Sequence, residues 1–174
     1  RQLLPTMIQT VRDLGSEDFS EAVLIEAPGV GAVVDEVFAD QGGGGEIRRV
    51  SGSDRRRELA SCVLAWTASG TATLECALLD IPMVVGYRLQ ALSYAVARLL
   101  VRVPHVALVN LIAEERVAPE LIQSDWRADN LAEISRRLLG GGADEQRPAL
   151  ERVRRRMGPP GASRRAAEAV LESC

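Results

Sequence analysis

The chain is 174 residues long, 47% hydrophobic and 26% charged, a globular composition with enough apolar side chains for the core of a single domain. Its formal net charge of −3 and pI near 5.3 argue against a nucleic-acid binder driven by overall charge. His105 is the only histidine, which excludes a histidine-based metal site, and no apolar run approaches the roughly 20 residues of a membrane-spanning helix.

All 21 basic residues are arginine, so local basic faces remain available. Cys62, Cys76 and Cys174 are odd in number and lack a Cys-x-x-Cys pair, which fits reduced thiols in a cytoplasmic protein better than a disulfide framework. No signal peptide is visible and no clustered carboxylate motif supports a metal, so neither metal nor cofactor is expected.

Leu3, Leu4, Met7, Ile8, Val11 and Leu14 mark a helix face from the first residues with no capping residue ahead, as expected of a segment cut from a longer chain. Residues 22–27 read as a buried strand ended by Pro28-Gly29, and residues 30–41 as a helix faced by Val30, Val33, Val34, Val37 and Phe38. Gly42-Gly43-Gly44-Gly45 reads as a flexible surface loop, without the Lys-Ser/Thr ending of a P-loop. Residues 47–50 predict a short strand and residues 54–61 a short helix.

Residues 63–67, apolar and bounded, suit a buried parallel strand, and Leu74, Ala77 and Leu78 then recur at helical spacing until Pro82. Residues 83–88 form the next expected strand, residues 89–102 a strong helix, and residues 106–109 a further strand with Asn110 at its carboxyl end. The remainder reads as helical. Residues 119–123 are a brief turn of helix, and residues 127–139 are capped by Ser124 or Asp125 and ended by Gly140-Gly141-Gly142. An arginine-rich stretch covers 148–157, and Ala166, Ala167, Val170 and Leu171 line a last helix. Strands alternating with helices predict an α/β fold, a Rossmann-like doubly wound parallel sheet with a helical C-terminal tail.

The chemistry concentrates in residues 68–75, Ala-Ser-Gly-Thr-Ala-Thr-Leu-Glu, between a strand and a helix start. Free N–H groups and the positive end of the macrodipole attract an anion there. Gly70 lets a phosphate approach the backbone, Ser69, Thr71 and Thr73 carry hydroxyl donors, and Glu75 can accept two hydrogen bonds from a sugar diol. A diol beside a phosphate describes a nucleotide. Equally, Ser or Thr followed by Glu at a helix start is a capping box that needs no ligand. Tyr87, Arg88 and Asn110 lie at successive strand ends, where open α/β sheets bind ligands. Arg88 can otherwise pair with a surface carboxylate and Asn110 can cap a turn; Tyr87 reads as packing and His105 as structural. A serine hydrolase using Ser69 with His105 is disfavoured, because Thr67 stands where Gly-x-Ser-x-Gly needs its first glycine.

Residues 68–75, the Pro82-Met83-Val84-Val85-Gly86-Tyr87-Arg88 run, Val103-Pro104 with Leu108-Val109-Asn110-Leu111, Pro119-Glu120-Leu121-Ile122-Gln123, and the tail Gly161-Ala162-Ser163 with residues 166–171 together resemble the C-terminal half of the lipid-A-disaccharide synthases. These motifs span nearly the whole chain in order. Glu75 to Pro82 also resembles the ribose-binding Glu-x6-Pro spacing of related GT-B transferases.

The resemblance implies a Rossmann-like UDP-sugar-binding domain over residues 1–140, the nucleotide-binding half of a GT-B glycosyltransferase, and a helical tail over 141–174. It implies transfer of 2,3-diacylglucosamine from UDP-2,3-diacylglucosamine to 2,3-diacylglucosamine 1-phosphate, with Ser69, Gly70, Thr71 and Thr73 at the diphosphate, Glu75 at the ribose, and Arg88 and Asn110 on the donor side. The family's general base is an aspartate of the other half, so no residue here is expected to be catalytic and the chain alone is expected to be inactive, literally a nucleotide-binding module. The acceptor would be held by that other half, and the family's Gly-Ser-Arg segment would lie just before Arg1. Val109 stands where the family has proline, and Glu114-Glu115 replaces a small-residue turn. The final helices are expected to cross to another domain or a second copy. Residues around Leu92, Tyr94, Arg98 and Arg102 are expected to pack in the core or to touch the inner face of the inner membrane peripherally.

Overall fold

The computed structural model describes residues 1–44, 47–89 and 104–172. Helix α1, Leu4–Leu14, has a proline in its first turn, buries Ile8, Val11 and Leu14, and stops at Gly15, whose φ of 72° suits glycine. Strand β1, Ala22–Ile25, leads through α2, Gly31–Asp40, to β2, Ile47–Val50, and the two strands pair in parallel from Ala22↔Ile47 to Ile25↔Val50. Helix α3, Arg55–Ser61, returns the chain to β3, Ala65–Ala68, and α4, Thr71–Leu78, carries it on to β4, Met83–Tyr87. Parallel strands require such crossovers.

Beyond residue 104 come α5, Leu108–Ala113; β5, Glu120–Ile122; α6, Ala128–Arg137; α7, Ala143–Met157; and α8, Ala162–Glu172. Strand β4 pairs in parallel with β3 on one side and β5 on the other, through Ala68↔Gly86 and Val85↔Glu120. Its side chains alternate between two apolar clusters. Met83 and Val85 join Cys76, Ala77, Val109, Leu150 and Val153, and Val84 joins Leu121, Trp126, Leu131 and Leu138. Gln146 of α7 closes the start of β4: its Oε1 accepts from Met83 N at 3.0 Å and its Nε2 donates to Met83 O at 3.2 Å.

The α/β class with parallel strands and a helical C-terminal region is the one the sequence predicts. The ladders fall into two groups, β1-β2 and β3-β4-β5, and among the described residues none joins β1 to β3. A cleft of about 560 Å³ separates them, lined by Val23, Ile25, Leu64, Trp66 and α1's Met7 and Val11.

Two local expectations are corrected. Residues 106–109 are no strand: the chain turns into α5 there, because its start is capped from a distance by Glu120, as described below. Residues 119–122 are not helical: Glu120–Ile122 form β5, since Val85 N donates to Pro119 O at 2.8 Å and draws the segment onto β4, and Gln123 opens a 3-10 turn. The three glycines end their helix as expected: Gly141, with φ 114°, breaks the helical path between α6 and α7. The helix expected over 89–102 lies, apart from Leu89, outside the described residues. Helix α8 is exposed along its described length, with Val170 63% and Leu171 76% accessible.

Candidate functional site

The carboxyl edge of β3 and β4 is one continuous ledge. Ala68 pairs with Gly86 and Ser69 N donates to Gly86 O at 3.1 Å, so the turn into α4 and the Tyr87-Arg88 exit of β4 leave the sheet side by side. Gly70 is the N-cap of α4 with φ 144° and ψ −161°, a conformation essentially restricted to glycine. No side chain caps this helix, so the capping box does not form.

The hydroxyls explain why. Ser69 Oγ donates to Val106 O at 2.7 Å and Thr73 Oγ1 to Gly70 O at 2.7 Å; Thr73 is fully buried. Both protons are spent inside the protein. Among the described residues, the N–H groups of Gly70, Thr71 and Ala72 have no protein acceptor, and Thr71 is exposed. This part of the site therefore offers an anion backbone amides at the positive end of a helix, with the Thr71 hydroxyl beside them. Glu75 and Arg88 are exposed with no hydrogen bond or ion pair to other described residues.

Asn110 is differently placed. It is fully buried, and its Nδ2 donates to Ala118 O and to Glu120 Oε1, each at 2.9 Å, while its Oδ1 accepts from Ala118 N at 2.8 Å. The Glu120 carboxylate also accepts Val106 N at 3.1 Å and Ala107 N at 2.9 Å, which satisfies donors at the start of α5. Ser69, Val106, Glu120 and Asn110 thus form one chain of contacts under the ledge. Gln123 does similar work beside Arg88: its Oε1 accepts Leu89 N at 2.6 Å and its Nε2 donates to Leu89 O at 3.2 Å. Glu120 and Gln123 had no assigned role in the sequence reading. Their partners lie 10 to 34 positions away, so no local spacing marks them.

On the far side of the cleft, the carboxyl ends of β1 and β2 are tied by charge. Arg49 donates to Glu26 and to Asp35 at 2.6 Å and lies 5.5 Å from the Phe38 ring centroid. Its hydrogen bond to Glu26, then that to Asp35, raises its pKa above the ordinary arginine value and keeps it charged. Among the described residues no cluster of His, Cys, Asp and Glu could hold a metal ion, and no helix is long and apolar enough to cross a membrane.

The sequence of this chain is similar to known proteins. A family model described as lipid-A-disaccharide synthetase matches residues 44–172. The lipid-A-disaccharide synthase of Anaeromyxobacter dehalogenans (strain 2CP-1 / ATCC BAA-258) is 41% identical over 174 residues, covering 98% of this chain and 45% of the relative. That of Myxococcus xanthus (strain DK1622) is 36% identical over 175 residues, covering 99% and 45%. That of Geobacter sulfurreducens is 45% identical over 113 residues, covering 64% and 29%. The chain thus spans about half the length, or less, of the curated relatives it matches. With more than half of its residues inside the family model, the chain belongs to the lipid-A-disaccharide synthase family.

Proposed function

We propose that this chain is the donor-binding half of a glycosyltransferase that moves 2,3-diacylglucosamine from UDP-2,3-diacylglucosamine onto 2,3-diacylglucosamine 1-phosphate, releasing UDP and forming the lipid A disaccharide. The observation that carries this reading is the set of open N–H groups at Gly70, Thr71 and Ala72, aimed from a helix start at the carboxyl edge of a parallel sheet. Negative charge builds on the leaving diphosphate as the glycosidic bond breaks, and preorganised amides stabilise it without a metal. The Thr71 hydroxyl and Arg88 add donors at the same edge, and Glu75 takes the ribose diol.

Ser69, Thr73 and Asn110 serve the donor by position. Ser69 and Thr73 fix the Gly70 turn, and Asn110 with Glu120 fixes the segment that Ser69 grips. The general base and the acceptor pocket belong to the other half of the enzyme, so the chain by itself binds and does not turn over. The exposed face of α8 around Val170 and Leu171 fits docking on that half or on a second copy, and the acylated substrates fit peripheral contact with the inner face of the inner membrane.

Thermal denaturation with UDP and with ADP tests the reading. At a hundredfold excess over Kd, a specific ligand stabilises by about 2.7 kcal/mol. UDP is expected to give such a shift, and ADP a smaller one. Equal shifts, or no shift with either nucleotide, would refute the assignment.

A further inference from the structure

We propose that Arg55 is an additional binding residue for the diphosphate of the nucleotide, reaching it from the β1–β2 side of the cleft. The inference rests on the reading of the Gly70 site given above.

Arg55 opens α3 directly after β2 and a short 3-10 turn, Gly52–Asp54, and so stands at the carboxyl edge of the β1–β2 pair. Its Nε is buried without any hydrogen-bond partner. Other arginines nearby are answered: Arg48 by Glu21 and Glu58, Arg49 by Glu26 and Asp35. Arg55 makes no ion pair or hydrogen bond with any described residue.

Its location adds to the anomaly. Arg55, Arg56 and Arg57 stand in succession in the first turn of a helix, where the positive end of the macrodipole disfavours cations. A buried donor without an acceptor and a cation at a helix start both oppose folding. An anion in the cleft removes both conflicts at once.

The cleft indicates which anion. Arg55 lines the same space as Ala68, Ala72 and Glu75, around the start of α4. Glu21, another carboxylate on the lining, is taken by Arg48. Glu75 shares the lining and does not pair with Arg55. A guanidinium presents a planar fork that matches phosphate oxygens in pairs, and Ala72, one of the three residues with an open amide at the start of α4, lines the same cleft. At about 560 Å³ the cleft is within the usual size range of small-molecule sites, roughly 300–1,000 Å³. A nucleoside diphosphate spanning it is gripped by backbone on one side and by Arg55 on the other.

Calorimetry with UDP and uridine on the wild type, R55Q, R55K and G70V tests this, alongside the melting temperature of each protein without ligand. R55Q is expected to weaken UDP by about tenfold or more, the usual scale for a lost charge-assisted contact. Uridine affinity should stay unchanged, R55K should be intermediate, and R55Q without ligand should melt no lower than wild type. UDP affinity of R55Q within about twofold of wild type overturns the proposal. So does a lowered melting temperature with equal losses for UDP and uridine, which marks a structural role. If G70V loses UDP while R55Q keeps it, the Arg55 assignment alone falls. If wild type does not bind UDP, or G70V binds it as well as wild type, the Gly70 site and this inference fall together.

Discussion

The Asn110 amide and the Glu120 carboxylate meet at 2.9 Å, and the same Glu120 oxygen accepts Ala107 N at 2.9 Å. One side chain from β5 therefore caps α5 and orients the amide that holds Ala118.

Removing either partner leaves buried donors without acceptors. Glu120→Ala and Asn110→Ala are each expected to destabilise by about 2–4 kcal/mol in urea unfolding. Because they share one network, the double variant should lose less than the sum, with a coupling of about 1 kcal/mol or more. Strict additivity would show that the contact does not act as a unit.

Gly86 tests the packing behind the site. A Cβ added there would lie 2.5 to 2.7 Å from atoms of the Trp126 ring, and Trp126 is itself fixed by its Nε1 donating to Leu3 O at 3.1 Å. Gly86→Ala should cost about 1–3 kcal/mol and alter the near-ultraviolet circular dichroism of the indole. A variant as stable as wild type with an unchanged spectrum would contradict this packing.

Gln146 replaces a missing strand neighbour at the start of β4. Gln146→Leu leaves the buried N–H and C=O of Met83 unpaired and should destabilise by about 2–3 kcal/mol. The Met83 amide should also exchange with solvent faster than those of Val84 and Val85. Unchanged protection at Met83 would argue against the clamp.

Cys76 makes stability depend on alkaline pH. Burial first, then the charge of Glu75 and the neighbouring Cys62, push its thiol up from 9.0 to about 12. The unfolded chain gives up this proton near pH 9 while the folded chain keeps it. Between those values the unfolded state binds fewer protons, and stability falls as pH rises. The slope should approach about 1.4 kcal/mol per pH unit above pH 9, with no contribution from this group below it. Cys76→Ala should flatten that part of the profile, and an identical slope in the variant would remove Cys76 as its cause.

Local pattern made much of the fold readable. The helix face from Leu3 to Leu14 and the apolar runs at β1, β3 and β4 announce themselves, as does the glycine that opens α4. What escaped notice depends on partners distant in the chain. The 106–109 run looks like a strand until Glu120 is brought against its amides, and 119–123 looks helical until β4 offers its edge. The glycine turn that opens α4 at Gly70 was legible. That the Ser69 and Thr73 hydroxyls turn inward was not, since their acceptors, Val106 O and Gly70 O, are positioned by the folded backbone.

The separation of the two strand groups grades the molecule's firmness. β4 is flanked on both sides and its Met83, Val84 and Val85 are at most 1% accessible, whereas among the described residues β1 has one ladder and no fully buried residue. Segments held so unequally come loose at different free energies. Gly70 stands on the firmer plate and Arg55 on the looser leaf, so a nucleotide joining them as proposed would act as a staple, and its arrival should quieten the backbone of β1.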